Sequence, residues 1–196
     1  MLGDGYHDVP KGKVAMVVTH LEMRTPNFRQ VPLPDGLTFT RIKPDIDTYR
    51  DIFRRIGAPW LWYGRLVMED AALEQIINDP EVQIYTLLKN EEPEALLELD
   101  FRVKDECELA YFGLSPALIG RGAGAYLMDQ AVNCAFDIQI DRLHVHTCTI
   151  DSPQALNFYV RSGFAPYRQQ IEIDDDPRVT GILPETAGPH VPILRP

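Results

Sequence analysis

What the 196 residues lack narrows the field first. No apolar run approaches the ~18 residues that a membrane-spanning helix needs, so no membrane partner is expected. Cysteine is scarce: Cys107, Cys134 and Cys148 are widely spaced, which gives no disulfide framework and suits a reducing cytoplasm. Basic charge is also short, with 19 Lys and Arg against 29 Asp and Glu and a formal net charge of −10. A nucleic-acid partner is therefore not expected, because phosphate backbones are held by basic faces. An acidic surface suits a cationic acceptor such as an amine. The opening "MLGDGYHDVPKGK" lacks the charged-then-apolar layout of a secretory signal.

What is present is ordinary for one globular domain: 45% hydrophobic and 24% charged residues. Residues 1–36 read as an N-terminal extension carrying an extra strand at Val14–Met23, and 174–196 as an acidic, proline-rich C-terminal extension. Between them, residues 37–173 alternate strand and helix. "LTFTRI" (Leu37–Ile42) has the period of a strand, and Ile46, Tyr49, Phe53 and Ile56 recur at helical spacing before Gly57. A short helix is expected over Asp70–Ile77. Three strands joined by polar turns then form a meander, through Val82–Leu88, Glu94–Val103 and "ECELAYFGL".

A helical stripe follows (Leu127, Met128, Ala131, Cys134, Ala135, Ile138), then a strand at Arg142–Ile150. The last helix is expected to start with Ser152 as N-cap and Pro153 in its first turn, and to stop at Gly163. A final strand covers Tyr167–Ile173. The order βα(α)βββαβαβ predicts an α/β (α+β) domain, with a mostly antiparallel mixed sheet, one parallel crossover and about four helices.

The stretch "LSPALIGRGAGAYLM" carries the first chemical signal, since a glycine-rich loop opening a helix offers backbone N–H groups to an anion. A triphosphate loop is excluded, because no Lys-Ser/Thr pair follows Gly124. Gly120-x-Gly122-x-x-Ala125 formally matches the dinucleotide fingerprint, with Asp141 about 20 residues on. The context fails, because Asp141 precedes its strand, Ser115–Ile119 separate strand from loop, and no repeated βαβ units follow. A helix N-terminus at Arg121–Ala125 holding some other phosphate remains.

On these residues the sequence resembles the GCN5-related N-acetyltransferases. Their loop signature Q/R-x-x-G-x-G/A aligns with Ile119-x-x-Gly122-x-Gly124, Ile119 standing in the first place. Their N-x-x-A-x-x-x-Y-x-x-x-G-F aligns with Ser152, Ala155, Tyr159, Gly163 and Phe164, with serine in place of asparagine. The resemblance covers Glu94–Ile173 and looks like an uncharacterised bacterial branch. It implies an acyl-CoA N-acyltransferase fold that transfers an acetyl group from acetyl-CoA to a primary amine by direct attack, with no metal. A non-catalytic acyl-CoA-binding or regulatory module of the same fold is the alternative.

The resemblance also assigns roles. Ile119, Gly120, Arg121, Gly122, Ala123, Gly124 and Ala125 would hold the coenzyme pyrophosphate. Phe112, Gly113 and Leu114 would meet the pantetheine and thioester, with a Leu114 or Gly113 N–H facing the developing oxyanion. Gly113 also suits a strand bulge. Ser152 would lie at the coenzyme, and Tyr159 would serve as general acid at the sulfur while binding the coenzyme.

Glu108 is the expected general base, on one strand face with Ala110, Phe112 and Leu114; Glu98 and Asp100 are the alternatives. Trp60, Trp62, Tyr63 and Arg65 would border the acceptor, a small-molecule or peptide amine, where aromatic faces suit an ammonium. His144, His146 and Cys148 share a strand face but have no partner cluster, so core or supporting roles are expected rather than metal binding. The extensions are long enough to serve a homodimer contact.

Overall fold

The computed structural model describes residues 3–196. Its strands are β1 (Lys13–Met23), β2 (Leu37–Ile42), β3 (Val82–Lys89), β4 (Glu92–Pro93), β5 (Ala95–Asp100), β6 (Glu106–Leu114), β7 (Arg142–Cys148) and β8 (Ala165–Asp175). Four α-helices interleave with them: α1 (Ile46–Gly57), α2 (Asp70–Ile77), α3 (Ala123–Phe136) and α4 (Ala155–Ser162). The Asp45 carboxylate starts α1 by accepting from Thr48 N–H at 2.8 Å, and Arg54 and Arg55 sit in its last turn, at the negative end of the dipole. The α4 helix stops at Gly163, whose φ of 110° favours a residue without Cβ.

The sheet runs β2-β3-β5-β6-β7-β1-β8, with β4 beside β3. Among the described residues only β6 and β7 are parallel, joined through α3; every other pair is antiparallel. This is the mixed sheet expected from the sequence, with four helices. The N-terminal strand lies inside it, paired with β7 on one edge and with β8 on the other.

Side-chain alternation gives the sheet two apolar faces. Leu21, Leu97, Leu99, Leu109 and Val145 pack with Leu127 and Ala131 of α3. Ile84 and Leu96 pack on the other side with Tyr49 and Phe53 of α1 and Leu73 of α2. A third cluster joins Val14, Met16 and Val18 of β1 to Leu61 and, from beyond β8, to Leu183 and Ala187. The C-terminal segment is folded around buried Arg178. Its guanidinium pairs with Asp176 at 2.7 Å and donates to the carbonyls of Ala187, Gly188 and Val191.

Some boundaries differ from the sequence reading. Ser152 does not cap α4. It sits in the preceding turn, accepting from Gln154 N–H on its Oγ at 3.4 Å and from Ala155 N–H on its carbonyl at 2.8 Å, while Gln154 takes the cap position. The β7 strand ends at Cys148 rather than Ile150, because the Asp151 carboxylate accepts from Cys148 N–H and the Thr147 hydroxyl and curls the chain. Ile138 lies past the end of α3 and is exposed, as the chain turns off to bond Asp141 N–H to the Asp105 carbonyl at 2.7 Å.

Gly113 does not form the bulge either. Glu98 pairs with Tyr111 and Leu99 with Leu109, so Ala110 is the extra residue. Gly113 answers to packing instead: a Cβ there would sit 2.6 Å from Ile56 Cγ2 and 2.9 Å from Trp62 Cη2. Gly113→Ala should therefore destabilise the fold by about 1–3 kcal/mol through overpacking. Urea unfolding followed by tryptophan fluorescence would read this, and an unchanged midpoint would contradict the close approach.

Candidate active site

The β6 and β7 strands pair at only three positions: Glu106 with Arg142, Cys107 with Leu143 and Glu108 with His144. Beyond them the strands part, and a cleft of about 220 Å³ opens between Leu109–Phe112 on β6 and Val145–Cys148 on β7. Trp60, Trp62 and Tyr63 wall it on one side, Met16 of β1 and Glu172 of β8 on another, and Asp151, Ser152, Ala155 and Tyr159 from the α4 side.

The bulge at Ala110 resets which side chains share a face. Glu108 pairs with Asp100 below it and Tyr111 with Glu98 above it, so Glu108 lies on the face of Tyr111 and Gly113. It does not share the face of Phe112 and Leu114, as unbroken alternation would have it. The ladder also sorts the backbone donors. Ser115 N–H bonds the Glu94 carbonyl at 2.9 Å, so by antiparallel alternation Gly113 and Tyr111 turn their N–H groups to β5, while Phe112 and Leu114 turn theirs to the open edge. Gly113 N–H is thereby committed to the sheet.

At the start of α3, Gly120 and Gly122 have φ of 77° and 80°, the left-handed region that a side chain would strain. Arg121 N–H bonds the Leu118 carbonyl at 3.4 Å and Ala125 N–H the Gly122 carbonyl at 3.1 Å. Among the described residues the N–H groups of Gly122, Ala123 and Gly124 have no backbone acceptor. Three donors at a helix N-terminus are what an anionic group needs. Ile119 is an exposed side chain of this loop.

The aromatic wall is pinned from behind. Trp62 Nε1–H donates to Asp151 at 3.1 Å, the Tyr63 hydroxyl donates to Asp174 at 2.6 Å, and Trp60 meets His190 at a tilt, with ring centroids 5.6 Å apart. Arg65 does not join this wall. It is buried in an ion pair with Glu98, which is itself fully buried and also accepts from the Tyr49 hydroxyl. Burial and the Glu98 charge hold the Tyr49 phenol well above its usual range, so it keeps the proton it donates. Glu98 is thus fully engaged. Asp100 is clamped by Arg102, which outweighs burial and holds the carboxyl below its usual range.

Tyr159 is buried against Phe112, Phe158 and Phe164 and lines the cleft. Its hydroxyl makes no hydrogen bond among the described residues. Burial, helped by the Asp151 charge, pushes its pKa well up and keeps it protonated. Glu108 does not line the cleft, but its carboxylate lies 3.6 Å from His146 Nδ1, and His146 does. Each shifts the other. The imidazole holds Glu108 below the usual carboxylate range, while Glu108, outweighing burial, raises His146 above the ordinary imidazole value. Reading β7 alone missed His146, because the signal is the register that sets His144 beside Glu108 on the neighbouring strand. Among the described residues no group of three His, Cys, Asp or Glu could hold a metal ion, and no helix is long and apolar enough to cross a membrane.

A sequence model of the acetyltransferase (GNAT) family matches residues 47–164, more than half of the chain. The chain belongs to that family. Solved structures of this GNAT fold include a GCN5-related N-acetyltransferase from Sphaerobacter thermophilus, with TM-score 0.62, 15% identity, and 87% of this chain matched to 53% of that one. One from Kribbella flavida gives TM-score 0.57 and 16% identity over 87% of this chain and 63% of that one. An aminoglycoside acetyltransferase from an uncultured soil metagenomic sample gives TM-score 0.54 and 13% identity over 65% and 88%. The chain thus spans about half the length of the Sphaerobacter protein. No curated protein matches by sequence.

Within this GNAT domain, removing Arg65 strands a fully buried carboxylate. Arg65→Ala should cost about 3–5 kcal/mol of stability in denaturant unfolding. A weakened affinity for an amine with no loss of stability would return Arg65 to the acceptor wall.

Proposed function

We propose that this acyltransferase carries an acetyl group from acetyl-CoA to a primary amine by direct attack within a ternary complex. The observation that carries the reading is the open β6–β7 edge, where one cleft is lined by both Tyr159 and His146, with Glu108 paired to His146 from outside it. The residues present suit the donor. The three free N–H groups of Gly122, Ala123 and Gly124 would take its pyrophosphate, and the outward N–H groups of Phe112 and Leu114 would take the pantetheine and the thioester oxygen. The thioester supplies an acetyl group already activated toward amines.

The amine arrives as an ammonium and must lose a proton before it can attack. Glu108 keeps a proton on His146 Nδ1, which leaves Nε2 as the base. His146 takes that first proton and passes it to solvent before attack. As the C–N bond forms and the C–S bond breaks, it receives the second proton shed by nitrogen. The Tyr159 hydroxyl gives one to the departing sulfur and is reprotonated from His146. Glu108 is a positioning residue in this scheme rather than the base itself. Trp60, Trp62 and Tyr63 would hold the acceptor through their ring faces.

Acetyl-CoA consumption across an amine panel, with mass spectrometry of the product, tests the activity; coenzyme binding without transfer to any amine would leave a binding module. Coenzyme A at about a hundredfold excess over its Kd should raise the melting temperature by roughly 5–10 °C, and NAD should not. Tyr159→Phe should lower kcat about 100-fold with little change in coenzyme affinity; an unchanged kcat would remove its acid role. Because only neutral His146 accepts a proton, kcat/KM should rise with pH through a pKa above ~6.5. Glu108→Gln should move that pKa downward, and a pH profile that does not move would detach Glu108 from the base.

A further inference from the structure

The cleft does not end at His146. Val18, His146 and Glu172 also line a second cavity of about 350 Å³, whose remaining walls are His20, Gln170 and Ile171. The two form one path, from Tyr159 past His146 to the outer edge of the sheet at β8. Among the described residues no lysine or arginine lines either part. Two carboxylates do. Asp151 is consumed by Trp62, Thr147 and Cys148. The Glu172 carboxylate makes no hydrogen bond or ion pair among the described residues, and its charge reaches His146.

Resting on the acetyl-transfer reading, we propose that the acceptor is a small aliphatic diamine or polyamine, and that Glu172 binds its second, unreacting ammonium. The reacting nitrogen must be neutral, so it gives a carboxylate nothing to attract at the moment of attack; a remote cation does. The methylenes between the two nitrogens would run along Val18 and Met16 under the aromatic wall. An acceptor bearing its own carboxylate, such as an amino acid, meets Asp151 and Glu172 along this path and no lysine or arginine among the described residues.

Three acceptors of similar length test this with acetyl-CoA as donor: pentane-1,5-diamine, pentylamine and 6-aminohexanoate. The expected order of kcat/KM is diamine first, pentylamine about tenfold lower and the amino acid lower still. Glu172→Gln should raise KM for the diamine about fivefold, the scale of one exposed ion pair, and should bring the ratio of diamine to pentylamine toward one. Equal rates for the three acceptors, or a ratio that Glu172→Gln leaves intact, would overturn the proposal while leaving N-acetylation standing.

Calorimetric titration of the diamine into the protein saturated with coenzyme A reads the same contact without turnover. A Kd for the diamine no tighter than that for pentylamine overturns the Glu172 site. Selective diamine binding that Glu172→Gln weakens, with no acetylation of any acceptor, retains the site and removes the enzymatic reading.

Discussion

The β7 strand can leave β6 after His144 because β1 holds its other edge at six registered positions, from Val18 with Cys148 to Met23 with Leu143. The β6 strand is secured in the same way by β5, from Ala95 with Leu114 to Asp100 with Glu108. Each strand keeps one full ladder and gives up the other only where the cleft is needed. A buried strand edge with no partner would leave its backbone groups costly. At this opening the groups on the β6 edge are turned toward the cleft, where a ligand can satisfy them. The same constraint explains why the extra N-terminal strand lies beside β7 rather than at the rim of the sheet.

Beneath the aromatic wall, the Glu98, Arg65 and Tyr49 cluster fixes how α1 meets the sheet. A buried carboxylate is tolerable only when it is paired and hydrogen-bonded, and here it has both partners. Arg65 also lies over the Tyr111 ring, 5.2 Å from its centroid, and Tyr111 in turn meets Trp62 at 5.3 Å. The Trp62 position therefore rests on a charged cluster that never reaches the cleft. Gly57 and Gly113 leave the space its indole fills, since a Cβ on Gly57 would stand 2.4 Å from Trp62 Cβ.

Local chemistry was legible in the sequence. The glycine loop before α3, the Gly163 stop of α4 and the apolar stripe of α1 all lie within a few turns of chain, and each appears where its residue types call for it. What escaped is whatever depends on a neighbouring strand. Nothing in "ELAYFGL" marks Ala110 as the extra residue, since the bulge is defined only against β5. It moved Glu108 to the other face from Phe112. Arg65 sits in a run with Trp62 and Tyr63 and shares their apparent destination, yet Glu98, 33 residues away, draws it inward. His146 looked like a core histidine for the same reason: its partner is on another strand.

The segment beyond β8 bears on the site through packing rather than chemistry. Gly188 N–H bonds the Ala58 carbonyl at 3.2 Å, and Leu61 is packed so closely on Gly188 that a Cβ there would lie 2.5 Å from Leu61 Cγ. His190 bonds the Ile150 carbonyl at 2.8 Å while its ring packs at a tilt against Trp60. These contacts clamp the segment carrying Trp60, Trp62 and Tyr63 between the C-terminal chain and the turn after β7. Arg178 holds that chain together by giving its donors to four backbone carbonyls as well as to Asp176. Ring faces recognise a cation well only if they are already in place, because the entropy of ordering them would otherwise be charged against binding. The tail thus supplies rigidity to a wall whose chemistry lies elsewhere, and the Glu172 carboxylate opposite that wall stays free because no basic residue of the tail reaches it.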